Sequence, residues 1–162
     1  MLTPGEDGDW DARRVAEPSV IVTDDGWQMY YVGFDQERTA RIGLATSADG
    51  ISWDRHDGPV LEGGAEWDGG AIGSPNVLAM DDALLLVYDN AVRGQYGLGF
   101  ARSSDGVTWS PDADNPQLTA DDAPGPQFFQ YELVRGPDGL LFLLEAGSGS
   151  TRTDIYAYRL DG

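Results

Sequence analysis

Ile42-Gly43-Leu44-Ala45-Thr46-Ser47-Ala48-Asp49-Gly50-Ile51-Ser52-Trp53 returns 56 residues later as Leu98-Gly99-Phe100-Ala101-Arg102-Ser103-Ser104-Asp105-Gly106-Val107-Thr108-Trp109. The first half of each copy alternates in the manner of a half-buried strand. The Asp-Gly pair then supplies a tight turn with positive φ at the glycine. The Ser and Asp oxygens are placed to cap loop N–H groups, and the Trp packs back over the sheet. The shared Ser-x-Asp-Gly-x-x-Trp stretch is therefore a fold-building device rather than a catalytic one.

The repeat extends upstream. Trp10-Asp11 matches Trp67-Asp68 and Pro18 matches Pro75, each at a spacing of 57. A third pass holds Tyr131-Glu132-Leu133-Val134, the turn Gly136-Pro137-Asp138-Gly139, Leu140–Leu144 and Ile155–Arg159, without a third Ser-x-Asp-Gly-x-x-Trp. The first unit contains four short β runs, Ser19–Thr23, Gln28–Val32, Arg41–Thr46 and Ile51–Asp54, and no convincing helix. Four antiparallel strands per repeat of this length is the pattern of a β-propeller blade. The expected fold is all-β, a single partial propeller with about three blade-like units at 10–60, 61–116 and 117–162.

The 162 residues are 41% hydrophobic, enough for a sizeable core, and 22 Gly with 9 Pro suit many tight turns. No cysteine is present and His56 is the sole histidine, so thiolate chemistry, disulfides and the usual zinc motifs are excluded. All ten basic residues are Arg, against 28 acidic ones, for a net charge of −18. Such a chain repels nucleic-acid phosphates and anionic membranes, so neither is an expected partner. No run approaches the roughly 20 apolar residues of a membrane span. The opening Met1–Trp10 lacks the basic and apolar regions of a signal peptide. That points to the cytoplasm, or to secretion if the N-terminus is incomplete. No cofactor is indicated. Calcium stays open as an alternative, since Asp-rich loops occur but none has EF-hand spacing.

Trp-Asp, x-Pro-x-Val, Met29-Tyr30-Tyr31-x-Gly33 and Ile42-Gly43-x-Ala45-x-Ser47-x-Asp49-Gly50-x-x-Trp53 together resemble the five-bladed propeller glycosidases. These are glycoside hydrolase families 43 and 32 with their arabinanase, levansucrase and invertase relatives. The resemblance covers Trp10 to Trp109 well and Phe128 to Leu160 loosely. It implies an incomplete five-bladed propeller that processes an oligosaccharide or polysaccharide at the funnel end of the channel. It also implies acids at the starts of successive innermost strands, since glycoside hydrolysis uses two carboxylates.

Carried over by position, Glu17 takes the acid position of the first blade, while Ser74 and Gln130 take it in the second and third. Glu132, two residues beyond Gln130, is the candidate general acid, with Glu17 as its catalytic partner. Asp35, Arg41, Asp89, Asn90, Phe128 and Tyr131 are the candidate substrate-binding residues, placed at blade rims and in poorly repeating segments. Arg93, His56 and Glu145 are secondary candidates. Asp11 and Asp68 recur in two units, which argues for a structural cap. The alternatives to an enzyme are a glycan- or protein-binding propeller without catalysis, and a structural piece of a longer propeller. Three blades leave sheet edges open, so self-association is also expected.

Overall fold

A computed structural model describes residues 1–90, 96–119, 121–122, 127–147 and 153–160, with only the backbone of 127–129. Among these residues there is no helix. The first sheet contains β1 (Arg14–Thr23), β2 (Gly26–Phe34), β3 (Ala40–Ser47) and β4 (Asp54–Arg55), in that spatial order. The second contains β5 (Ile72–Ala79), β6 (Leu84–Asn90), β7 (Gly97–Ser103) and β8 (Ser110–Pro111), with β9 (Leu118–Thr119) also paired to β7. The third contains β10 (Gln127–Gly136), β11 (Gly139–Gly147) and β12 (Thr153–Leu160). All pairings are antiparallel. This is the blade architecture of a β-propeller, in three successive sheets.

Two details depart from the sequence expectation. The innermost strand of the first sheet begins at Arg14 rather than Ser19, because a β-bulge between Ala16 and Ser19 carries Glu17-Pro18 without ending the strand. As the edge strand of its sheet, β1 tolerates the proline's missing N–H. The fourth strand starts only after Trp53, since Ile51 and Ser52 belong to the capped turn. One repeating element carried no readable signal. Leu61 bridges to Ile42 in the first sheet, and 57 positions on Leu118 pairs with Leu98 in the second.

The Ser-x-Asp-Gly turns are built identically. Ser47 Oγ accepts from the Gly50 amide at 2.9 Å, and Asp49 Oδ1 accepts from the Ile51 and Ser52 amides, each at 2.8 Å. Ser103 Oγ accepts from Gly106 at 2.8 Å, and Asp105 Oδ1 accepts from Val107 at 2.8 Å and Thr108 at 2.7 Å. Gly50 and Gly106 adopt φ of 73° and 77°, a region that costs a side chain energy. The second turn also joins two blades. Tyr30 of β2 donates its hydroxyl to the Gly106 carbonyl at 3.0 Å, and the Tyr30 ring meets Trp109 edge-on at 5.5 Å.

The sheets pack face to face. Ile21, Tyr30, Ile42 and Leu44 of the first meet Ile72, Val77, Leu86, Tyr88 and Trp109 of the second. Leu85, Val87 and Leu98 on the opposite side of the second sheet meet Leu133, Leu140, Phe142 and Leu144 of the third. Alternate residues of β6 thus enter different cores, which is why Leu84–Tyr88 reads as an unbroken apolar run. The two Trp-Asp motifs are structural. Trp10 lies over Gly33 and Gly43, and Trp67 over Gly97 and Gly99. Asp68 Oδ2 accepts from the Gly64 and Ala65 amides and Oδ1 from Gly70, while fully buried Asp11 accepts from the Tyr31 hydroxyl at 2.9 Å.

Candidate functional site

The three innermost strands start side by side, and each start is bulged: between Ala16 and Ser19, between Gly73 and Asn76, and between Phe128 and Gln130. Glu17 and Ser74 occupy equivalent bulge positions and both have left-handed backbone, φ 54° and 47°. Neither is glycine, so each costs of order 1 kcal/mol or more and persists only because its surroundings hold it. The bulges re-aim these side chains out of the sheet and toward each other. The Ser74 amide donates to Glu17 Oε2 at 3.0 Å, and the Ser74 hydroxyl reaches the same oxygen at 3.3 Å. Tyr131 donates its hydroxyl to the Ser74 carbonyl.

Between them lies a cleft of about 410 Å³ lined by Glu17, Pro18, Ser74, Asn76, Tyr131 and Glu132, among others. Glu17 and Glu132, paired by the sequence reading, do line one cleft. Asp89 is not among the residues that line it, but its carboxyl interacts with Ser74 and Glu17, which are. It pairs with Gly73 in the strand beside Ser74, and burial pushes its carboxyl up to about 6. The Ser74 hydroxyl counteracts that rise and the charge of Glu17 adds to it. Burial also raises the Tyr131 phenol, with Asp89 and Glu17 as further causes. Glu17, Ser74, Asp89 and Tyr131 therefore form one electrostatically connected group, drawn from all three blades.

The remaining sequence candidates go elsewhere. Asp35 and Arg41 form an ion pair at 2.9 Å at the β2–β3 turn, where Asp35 Oδ1 also accepts the Thr39 amide at 2.8 Å. They line a second cleft of about 590 Å³ with Trp10 and Glu62. Buried Asn90 is tied to backbone, its Nδ2 donating to the Trp67 carbonyl at 3.2 Å and its Oδ1 accepting the Gly97 amide at 3.1 Å. His56 contacts the Gly58 carbonyl at 3.3 Å. The Phe128 side chain and Arg93 lie outside the described residues. Among the described residues no group of three or more His, Cys, Asp or Glu is arranged to hold a metal ion.

Two contributions escaped the sequence reading. Ser74 marks an acid missing from its blade, yet its amide is what holds Glu17. The sequence reading offers Asp89 for substrate binding, and the burial that raises its carboxyl is the property added by the structure. Its signal was available: Asp89 ends the apolar run Leu84–Tyr88, at the strand position that holds Val32 in the first blade.

No protein-family model matches the chain, and no curated protein sequence does. Solved structures do match in shape. A family 117 glycoside hydrolase from the marine bacterium Zobellia galactanivorans superposes with TM-score 0.78 at 18% identity, over 97% of this chain and 46% of that one. A GH32 β-fructofuranosidase from Bombyx mori gives TM-score 0.73 at 19% identity, over 90% and 34%. Fructan 1-exohydrolase IIa from Cichorium intybus gives 0.73 at 15% identity, over 98% and 32%. The chain thus spans half or less of the length of these structures, and within that span it has the fold of the propeller-type glycoside hydrolases.

Proposed function

We propose that the cleft at the strand starts is the sugar site of a glycoside-hydrolase-type propeller, with Asp89 and Glu17 as its carboxylate pair. The observation that carries this reading is the joining of Glu17, Ser74, Asp89 and Tyr131 across three blades, with one carboxyl of the pair raised to about 6. An acid raised to about 6 is still protonated in mildly acidic solution and can protonate a glycosidic oxygen as the C–O bond breaks. Glu17, fixed by two contacts from Ser74, is the carboxylate on the reacting sugar's other side. Tyr131 supplies an aromatic wall. The fold of the neighbouring structures supports the substrate class, and one of those neighbours is a β-fructofuranosidase variant in complex with sucrose.

A screen of aryl glycosides and oligosaccharides tests the reading. Turnover is expected to fall by about 10²–10⁴ in Asp89→Asn and in Glu17→Gln. The wild-type rate is expected to decline above an apparent pKa of about 6. Equal turnover in the wild type and both variants would remove the assignment. A second reading, binding without cleavage, is favoured by Ser74 and Gln130, which stand where two further blades would carry acids. It predicts calorimetric binding of an oligosaccharide with no hydrolysis, weakened by Tyr131→Ala.

A further inference from the structure

The two blade junctions repeat one kind of hydrogen bond. Ser19 Oγ accepts the amide of Val77 in the next blade at 3.0 Å. Asn76 Oδ1 accepts the amide of Leu133 in the blade after that at 2.9 Å. Ser19 and Asn76 are register equivalents, paired with Tyr30 and Val87 on their respective second strands. The next residue in this series is Glu132, paired with Leu143. Each member projects from an innermost strand onto the face that meets the following blade, and each has a side-chain oxygen to accept with.

Glu132 stands on the forward face of the third sheet, and among the described residues that face is exposed. Leu133 points back into the core with the second blade at 4% exposure, whereas Val134 is 38% and Ile155 78% exposed. The matching half is present in the chain itself. Val77, which donates to Ser19, pairs with Leu86; its counterpart Val20 pairs with Met29 and lies on the rear face of the first blade. Val20 and Val22 are exposed there, at 44% and 64%. Trp10 lies over that sheet's glycines as Trp67 does within the packed junction between the first two blades. The rear face of the first blade thus carries the same features as the rear face of the second, which forms a blade junction.

We infer that a second copy of this chain docks head to tail, its first blade on the forward face of the third, with the Glu132 carboxylate accepting the Val20 amide of the copy. The contact continues the two junctions already formed, using the same strand and the same register. It is heterologous, so each copy offers one donor face and one acceptor face. Two chains of net charge −18 repel, so the association strengthens with salt as that repulsion is screened.

Light scattering across a concentration and salt series reads the outcome. The mass should rise above the 17.5 kDa of one chain, and more so at high salt. Glu132→Gln keeps an acceptor, as in Asn76, and should still associate. Glu132→Lys has no acceptor, and Val22→Asp sets a like charge against the acidic forward face; each should weaken association at least tenfold, with circular dichroism confirming the fold. Mixing these two variants leaves one intact junction, Glu132 of the Val22→Asp chain against Val20 of the Glu132→Lys chain. A heterodimer should therefore form. A monomer under all conditions, association untouched by both charge variants, or a mixture that stays monomeric would each overturn the inference.

Discussion

Asp89 and Asp105 are both carboxylates in a strand-rich chain, and their surroundings push them in opposite directions. Burial raises Asp89 to about 6 from the ordinary 3.8. Between those values the folded chain holds a proton that the unfolded chain has lost, so stability falls as pH rises through that window. Asp89→Asn cannot ionise. Urea melts should show it equal to the wild type near pH 4 and more stable at pH 7.5, by about 1–2 kcal/mol for a half-buried group. Asp105 is the reverse case: amides of Thr108 and Val107, with the Ser103 hydroxyl, lower it to about 2. Its stabilisation is present above the ordinary value and is lost as pH falls through about 2. Asp105→Ala should lower Tm at neutral pH, and thermal melts should show that gap closing as the solution is acidified.

At the scale of elements, the innermost strands carry both the architecture and the site. A repeated Trp covers two glycines in each of the first two blades, Gly33 and Gly43 in one and Gly97 and Gly99 in the next, and the fit leaves no room. A Cβ at Gly43 would lie 2.5 Å from Trp10 and 2.8 Å from Tyr31. Gly43→Ala should cost about 1–3 kcal/mol in chemical denaturation, the usual penalty of overpacking. The bulges do the opposite of packing. They hold Glu17 and Ser74 at positive φ and turn them toward the cleft. Ser74→Gly relieves that backbone while keeping the amide that holds Glu17. It should be neutral or stabilising by up to about 1 kcal/mol, because the glycine's extra unfolded-state entropy offsets part of the gain. The Asp-Gly turns, the Pro positions and the Trp-Asp caps were all legible in the sequence because each depends on residues close in the chain. The bulges were not, since Glu17-Pro18 and Ser74-Pro75 carry no local signal for an extra residue and Pro18 reads as a strand limit.

The three blades pack in series, and among the described residues only the second is packed on both faces. Stability in such a stack is the sum of the blades and their junctions, so the ends should open first. Amides of β6 are expected to exchange more slowly than those of β12 in native-state hydrogen exchange. If a second copy covers the forward face of the third blade, β12 protection should rise with protein concentration. By itself the sequence determined the all-β class, the repeat, its period and its turns, because these follow from local patterns that recur along the chain. Tertiary structure alone decided which acids meet. Glu17 and Asp89 are joined through Ser74, and Glu132 falls in register with Ser19 and Asn76. Those relations are set by how one blade's edge lies against the next, and residues more than fifty positions apart carry no local record of it.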